Sequence, residues 1–248
     1  MTESESTPSW DSKSPRASLA ERVRTDADLK RRIEATIGPY VARISESFNR
    51  ATRLVESSRQ FSDQSVAQDV LRAAVVLNHA YLEDMLRTLA SNLLPEGNES
   101  VLNEVPLAGL GSARAEKFLL GRLAQHRGKT VDAVIIESVS EHLERSNYND
   151  TREIAQLLTQ LGFKVPDHNA EFPTIQEMIQ RRHLIVHRAD RVKAPDSEAY
   201  ALQPIQATEV LKWLQVTAGF IQSLMQPLFL KLYPPEELAK MFNVILLK

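Results

Sequence analysis

The sequence predicts an all-α fold. Apolar residues recur mainly every three or four positions along most of the 248-residue chain, which is the spacing of one face of an α-helix. Proline and glycine punctuate these periodic segments, and neither a strand-rich region nor an internal repeat emerges. A composition of 43% hydrophobic and 25% charged residues is that of a globular protein with a sizeable core. We therefore expect helices packed around one apolar interior.

The first 20 residues differ from the rest of the chain in composition. Residues 1–20 are rich in serine and lack a periodic apolar face, so we expect a disordered N-terminal arm. Residues 21–248 are predicted to form a single all-helical domain. Within it, the apolar spacing from Asp26 to about Arg59 predicts one long helix with a kink at Gly38-Pro39, or two helices in succession.

The next segment is predicted to be the central helix of the fold. Asp63 fits an N-cap, and an apolar stripe follows it without a break to near Pro95. Polar residues form a second stripe at intervals of seven, four and four: Arg72, His79, Glu83 and Arg87. Two interpretations are open. The stripe is either a solvated ladder of ion pairs, or a face on which Glu83, with His79, orients residues of a neighbouring helix.

Shorter helices are predicted for the second half of the chain. Residues 95–110 contain prolines and glycines and are predicted to be a loop, and residues 194–204 are predicted to be a connector. The helices are expected at about 112–126, 131–145, 150–161 and 207–230, with a last one opened by Pro234-Pro235.

The stretch from Thr174 to Asp190 concentrates residues that can carry chemistry. Thr174 and Glu177 form a capping-box pattern, so a helix is predicted to begin near Thr174. Three consecutive apolar residues, 184–186, predict a turn that is buried on most sides. Positions 177–193 contain five basic residues and only two acidic ones, although the formal net charge of the whole chain is −2. Such a local positive potential suits a phosphate held at one place.

Two residues of this stretch, Arg182 and His187, are five positions apart. On an α-helix that spacing corresponds to about 140° of rotation and about 7.5 Å of rise. One helix cannot easily direct both side chains at one atom. A two-fold partner supplies the second set if the protein is a homodimer with a composite site, and such dimers are the commonest oligomers.

Arg182-His-Leu-Ile-Val-His187 resembles the Arg-x4-His motif of the HEPN superfamily of small all-helical ribonucleases. Residues 72–87 resemble the long helix, and residues 148–163 the segment before the motif, of the bacterial HEPN branch associated with RNA-repair and defence loci. That branch commonly carries asparagine where this chain has His183. The resemblance implies a HEPN-like helical bundle, with its core at about residues 64–192 and additional N- and C-terminal helices.

The resemblance also implies a metal-independent endoribonuclease. The RNA 2'-OH would attack the adjacent phosphate and leave 2',3'-cyclic phosphate and 5'-OH ends. His187 would be the acid and base, since an unperturbed histidine titrates at roughly pH 6.5, and Arg182 would hold the phosphate. Supporting roles are predicted for His183, Glu83 and His79, and RNA contacts for Arg181, Arg188 and Arg191.

The resemblance further implies the partners and the setting of this activity. RNA, a second copy of the chain and an antitoxin or other regulatory protein are the expected partners, in a toxin or antiphage-defence effector that needs no cofactor and no metal. The sequence has no cysteine and no apolar run of about 18 to 20 residues, so we expect a cytoplasmic protein without membrane spans.

Other interpretations of the motif remain open. A cationic histidine at the C-terminal end of a helix is favourable, so His187 also fits a helix cap beside a solvated basic face. A HEPN-like helical module that binds RNA or a protein without cutting is the second alternative. His183 and His187 share one helix face as two metal ligands can, but no third ligand is identifiable by spacing. The remaining histidines of the second half, His126, His142 and His168, are predicted to lie at the surface.

Overall fold

A computed structural model describes residues 27–109, 120–193 and 199–232. The predicted N-terminal arm, most of the predicted helix 112–126 and the predicted final helix from Pro234 lie outside these ranges. The described residues form seven α-helices, three short 3-10 helices and one two-stranded antiparallel sheet. The predicted all-α class is therefore confirmed.

The α-helices are α1 (Ala27–Ser58), α2 (Gln64–Leu93), α3 (Glu99–Leu102), α4 (Val131–Arg145), α5 (Thr151–Gln160), α6 (Phe172–Arg188) and α7 (Ala207–Leu232). The 3-10 helices are Leu94–Glu96, Leu120–His126 and Val165–His168. Strands β1 (Arg191–Lys193) and β2 (Tyr200–Leu202) pair with Val192 opposite Ala201. The apolar spacing of α4, α5 and α7 predicted their bounds to within a few residues. α1 continues through Pro39 as one helix, which is the first of the two interpretations of that segment.

α2 is the central helix, as its apolar pattern predicts. Its N-cap is Asp63, whose side chain accepts a hydrogen bond from the backbone of Ser65. It packs against α1, α4, α6 and α7, and its residues Leu82, Met85 and Leu86 are fully buried. A helix with apolar residues around most of its circumference is stable only when neighbours cover it on several sides. α2 therefore fixes the positions of the surrounding helices.

The helix that carries the Arg-x4-His motif differs from its prediction at both ends. α6 begins at Phe172 with Pro173 in its first turn, and its N-cap Glu171 makes no side-chain capping bond. The predicted capping box at Thr174 is therefore wrong, because the proline already starts the helix two residues earlier. The turn 184–186 is also less buried than predicted, since Val186 is 47% exposed.

α6 ends in two residues with left-handed backbone, Ala189 (φ 48°) and Asp190 (φ 56°). The Asp190 amide donates to the Leu184 carbonyl at 3.0 Å, which satisfies one carbonyl of the last helical turn. The chain then reverses into the β1–β2 hairpin. The predicted connector 194–204 thus contains a strand. Its three residues are too short to give a periodic pattern, and no glycine marks the left-handed turn.

Candidate functional site

Arg182 lies where α6 meets the segment between α4 and α5. Its side chain is half-buried, and Nη1 donates to Asn149 Oδ1 at 3.4 Å. Its positive charge also contributes to lowering the pKa of His79 on the central helix. The motif arginine is therefore held at Asn149, the residue that follows the segment packed against α2.

The polar stripe of α2 holds the segment 146–148 against the core. His79 is fully buried, and its Nε2 lies 3.2 Å from the Tyr148 carbonyl oxygen. Glu83 Oε1 accepts from the Tyr148 amide at 3.3 Å. Arg87 Nη2 donates to the Ser146 carbonyl at 2.6 Å. The interpretation of this stripe as a solvated ladder is therefore wrong, because these side chains make tertiary hydrogen bonds. Glu83 and His79 bond the segment that precedes Asn149, so their link to Arg182 runs through that segment.

Burial lowers the pKa of His79 below the ordinary value of a histidine. The negative charge of Glu83 opposes this shift, and the positive charge of Arg182 adds to it. A neutral ring that carries its hydrogen on Nε2 can donate to the Tyr148 carbonyl. Nδ1 then faces Glu83 Oε2 at 3.7 Å, without a hydrogen-bond partner. His79 therefore supports the site as a neutral donor, not as a charged group.

We expect His79→Gln to reduce the pH dependence of the free energy of unfolding below neutral pH. The pKa of His79 is lower in the folded protein than in the unfolded chain. Below about pH 6.5 the unfolded chain therefore binds more protons, and the free energy of unfolding decreases as the pH decreases. The glutamine amide retains a donor for Tyr148 but cannot titrate. Urea unfolding between pH 7 and 5 should show a slope smaller by up to about 1.4 kcal/mol per pH unit. A wild-type slope in the variant would contradict a buried neutral His79.

His187 and His183 are exposed on the last turns of α6. Their ring centroids are 4.6 Å apart with an interplanar angle of 46°. Both Arg182 and His187 belong to the described residues, and no hydrogen bond or ion pair joins them. The helix is continuous through both positions, so their offset of about 140° is retained. A single chain therefore does not bring the two motif residues together.

Arg181 is not available to RNA, contrary to its prediction. The side chain is buried, and its Nη2 donates to Asp190 Oδ2 at 2.9 Å and to the Gln203 carbonyl at 2.8 Å. Arg72 of α2 reaches the same carboxylate, with Nε 2.6 Å from Oδ2. We call Arg72, Arg181 and Asp190 the Asp190 cluster. It ties the C-terminal end of α6 to the central helix.

The sequence contained a signal for the burial of Arg181. The residue follows Met178 by three positions and precedes Ile185 by four, so it lies on the apolar stripe of α6. Its partner Asp190 could not be recognised in the same way, because its burial depends on the turn that follows the helix. Arg188 and Arg191, the other two predicted RNA contacts, are exposed.

A cavity of about 360 Å³ lies beside the candidate site, between α4 and α5. Its lining includes Glu104, His142, Tyr148 and Glu153 but neither Arg182 nor His187. Burial raises the pKa of the Tyr148 hydroxyl to about 12, and burial also lowers the pKa of His142. Tyr148 is therefore unsuited to proton transfer near neutral pH.

For two further histidines the predicted surface position is wrong. His126 and His168 are buried, although their polar neighbours in the sequence predict surface positions. His168 packs edge-on against Phe220 of α7, and its Nδ1 lies 3.1 Å from Ser223 Oγ. Contacts with a helix about 50 residues further along the chain determine its burial. His168 therefore has a structural role in the fold.

The fold and the site together define an all-α protein with an exposed histidine pair and a held arginine on one helix. Compared with protein-family models, with curated proteins and with solved structures, the chain gave no match. In the part of the chain that the structure describes, no three histidine or acidic side chains are grouped so that they could hold a metal ion. None of the described helices combines the length and the apolar character required to span a membrane.

Proposed function

We propose that this protein is a metal-independent endoribonuclease of the HEPN type. The observation that carries the proposal is the placement of the Arg-x4-His motif on α6. Arg182 is held by the bundle at Asn149, and His187 is exposed at the anchored end of the same helix. Cleavage of a phosphodiester by its own 2'-OH requires a held cation and a solvent-accessible imidazole, and α6 carries one of each at separate positions.

In the proposed reaction, the His187 ring accepts the proton of the 2'-OH. The 2'-oxygen then forms a bond to phosphorus, and the bond from phosphorus to the 5'-oxygen breaks. The leaving 5'-oxygen takes a proton, either from a second histidine or from water. Arg182 donates to the non-bridging oxygens, on which negative charge gathers. The products carry a 2',3'-cyclic phosphate and a 5'-hydroxyl, and DNA is not a substrate because it lacks the attacking group.

The charge distribution around the end of α6 supports a phosphate ligand. Arg188, Arg191 and Lys193 are exposed there. Asp190, the acidic residue within this stretch, is buried, and the charges of Arg72 and Arg181 offset its negative charge. Positive potential is thus concentrated next to His187 in a chain that is slightly acidic as a whole.

We further propose a homodimer with composite sites, in which one copy supplies Arg182 and the other His187. The separation of the two side chains within one chain supports this arrangement, since an isologous contact brings the same helix from both copies together. From the HEPN resemblance we also propose that the protein is a cytoplasmic toxin or antiphage-defence effector restrained by an antitoxin or another regulatory protein.

The second candidate is a non-catalytic HEPN-like module that binds RNA or protein. The same separation favours it, because Arg182 is engaged with Asn149 and does not face His187 in the single chain. The two candidates differ in whether RNA is cut.

We expect the purified protein to cleave total cellular RNA in excess EDTA, because the proposed reaction uses no metal ion. End-group analysis of the fragments should find 2',3'-cyclic phosphates and 5'-hydroxyls. Cleavage that EDTA abolishes would instead point to the histidine pair as metal ligands. If the protein binds RNA but does not cut it, even after candidate activating partners are added, the result would favour the non-catalytic module.

A further inference from the structure

The β1–β2 hairpin presents a mixed basic and aromatic surface directly after the motif helix. All six strand residues are exposed. The register pairs Arg191 with Leu202 and Lys193 with Tyr200. Directly paired residues lie on the same face of an antiparallel ribbon, as do residues two apart in one strand. Arg191, Lys193 and Tyr200 therefore share one face.

Tyr200 is the most exposed aromatic side chain on this surface, with 61% of its area accessible. Among the described residues its ring stacks on no other aromatic ring or histidine. Arg191 Nη1 donates to the Tyr200 carbonyl at 3.3 Å, which keeps this guanidinium beside the tyrosine. An accessible ring next to a held guanidinium matches a nucleobase with a flanking phosphate.

The base of the hairpin is anchored to the bundle. The Gln203 amide donates to the Asp190 carbonyl at 2.9 Å. The Gln203 carbonyl accepts from both Arg72 and Arg181, at 2.9 and 2.8 Å. The Asp190 cluster thus holds the last residue before and the first residue after the two strands. An anchored ribbon loses little conformational entropy when it binds a ligand.

We propose that this face of the hairpin binds single-stranded RNA. Tyr200 stacks on one base, and Arg191, with Lys193, contacts the adjoining phosphates. The inference rests on the proposed function for the identity of the ligand, and it adds the position of the strand relative to the site. Only three residues separate His187 from Arg191 along the chain, so the proposed platform begins directly after the end of the helix that carries His187.

Fluorescence anisotropy with a labelled 12-nucleotide oligouridine tests the platform. The His187→Ala protein is used, so that the RNA stays intact during the measurement. We expect Tyr200→Ala to weaken binding roughly 10-fold, since the stacking contribution of one base is lost. Tyr200→Phe keeps the ring and should bind within about twofold of the parent. Phe61→Ala is the matched control, because Phe61 is a 42% exposed aromatic in the turn between α1 and α2.

The outcomes separate this inference from the proposed function. Unchanged binding by Tyr200→Ala, or an equal loss in Tyr200→Phe, would overturn the stacking role. If Tyr200→Ala binds RNA normally but no longer forms dimers in light scattering, the hairpin face is a protein interface. That result would also overturn the proposal that this face binds RNA. In protein with His187 intact, Tyr200→Ala should raise KM for the same oligonucleotide. If no protein cleaves RNA but Tyr200→Ala still weakens binding, the platform stands and the ribonuclease proposal fails.

Discussion

RNA cleavage should be lost when either motif residue is replaced. For His187→Ala we expect a rate reduction on the order of 10²- to 10⁴-fold, because the proposed reaction uses the His187 ring to take the proton of the 2'-OH. Arg182→Ala should have a comparable effect, and Arg182→Lys should recover only part of the rate, because lysine lacks the planar fork of donors. Initial rates on a labelled oligonucleotide measure the losses. If the protein is a toxin, as proposed, overexpression of the parent should inhibit growth and overexpression of either variant should not.

A matched control for these substitutions is Arg152→Ala on α5. Arg152 is also an arginine with a local partner, Asp150, but it is 90% exposed and lies outside the motif helix. It should cleave at the wild-type rate. Circular dichroism and urea unfolding establish whether each variant is folded. Folded Arg182→Ala and His187→Ala proteins that still cut RNA would disprove the catalytic assignment.

The same two variants test the composite site. In a mixed dimer, the Arg182→Ala copy supplies an intact His187 and the His187→Ala copy an intact Arg182, so one of the two sites is complete. Random mixing makes about half of the dimers mixed, and activity should return to about a quarter of the wild-type level. If both residues act within one chain, every site retains one lesion and the mixture stays inactive. The mixture therefore distinguishes the two arrangements directly.

Helix positions were predictable because they depend on local periodicity. The apolar stripe of α2 continues for 30 residues, and it identified both the helix and its central place in the fold. The β1–β2 hairpin could not be found in this way. Its strands have three residues each, and the left-handed turn before it uses Ala189 and Asp190 where glycine would be the recognisable signal.

The candidate site was predictable only in part, because its contacts join distant parts of the sequence. The resemblance to the Arg-x4-His motif selected Arg182 and His187 as candidates, and helix geometry predicted their angular separation. The sequence could not show that Arg72 pairs with Asp190, 118 positions further along the chain. Nor could it show that the same carboxylate makes Arg181 a structural residue. In the sequence, Arg181 and Arg182 are adjacent and chemically identical. The rotation of about 100° between neighbouring helical residues is what buries one and leaves the other at the surface of the bundle.

The Asp190 cluster should dominate the stability of this end of the molecule. Asp190 is fully buried, and its Oδ2 accepts from both Arg72 and Arg181. Asp190→Asn removes the negative charge and leaves two buried guanidinium groups without it. We expect a loss of about 3 to 5 kcal/mol in the free energy of unfolding, measured by urea titration. Asparagine also tolerates the left-handed backbone at this position, so the substitution isolates the effect of the charge.

Asp69→Ala is the matched control for the cluster. Asp69 also forms an ion pair with Arg72, at 3.0 Å, but its side chain is 72% exposed. Solvent screens such a pair, so the loss should stay below about 1 kcal/mol. If Asp190→Asn does not fold, the combination with Arg72→Met and Arg181→Met should restore stability, because it removes the uncompensated charges together. A folded Asp190→Asn protein no less stable than Asp69→Ala would show that Asp190 does not hold α6 and the hairpin to the central helix.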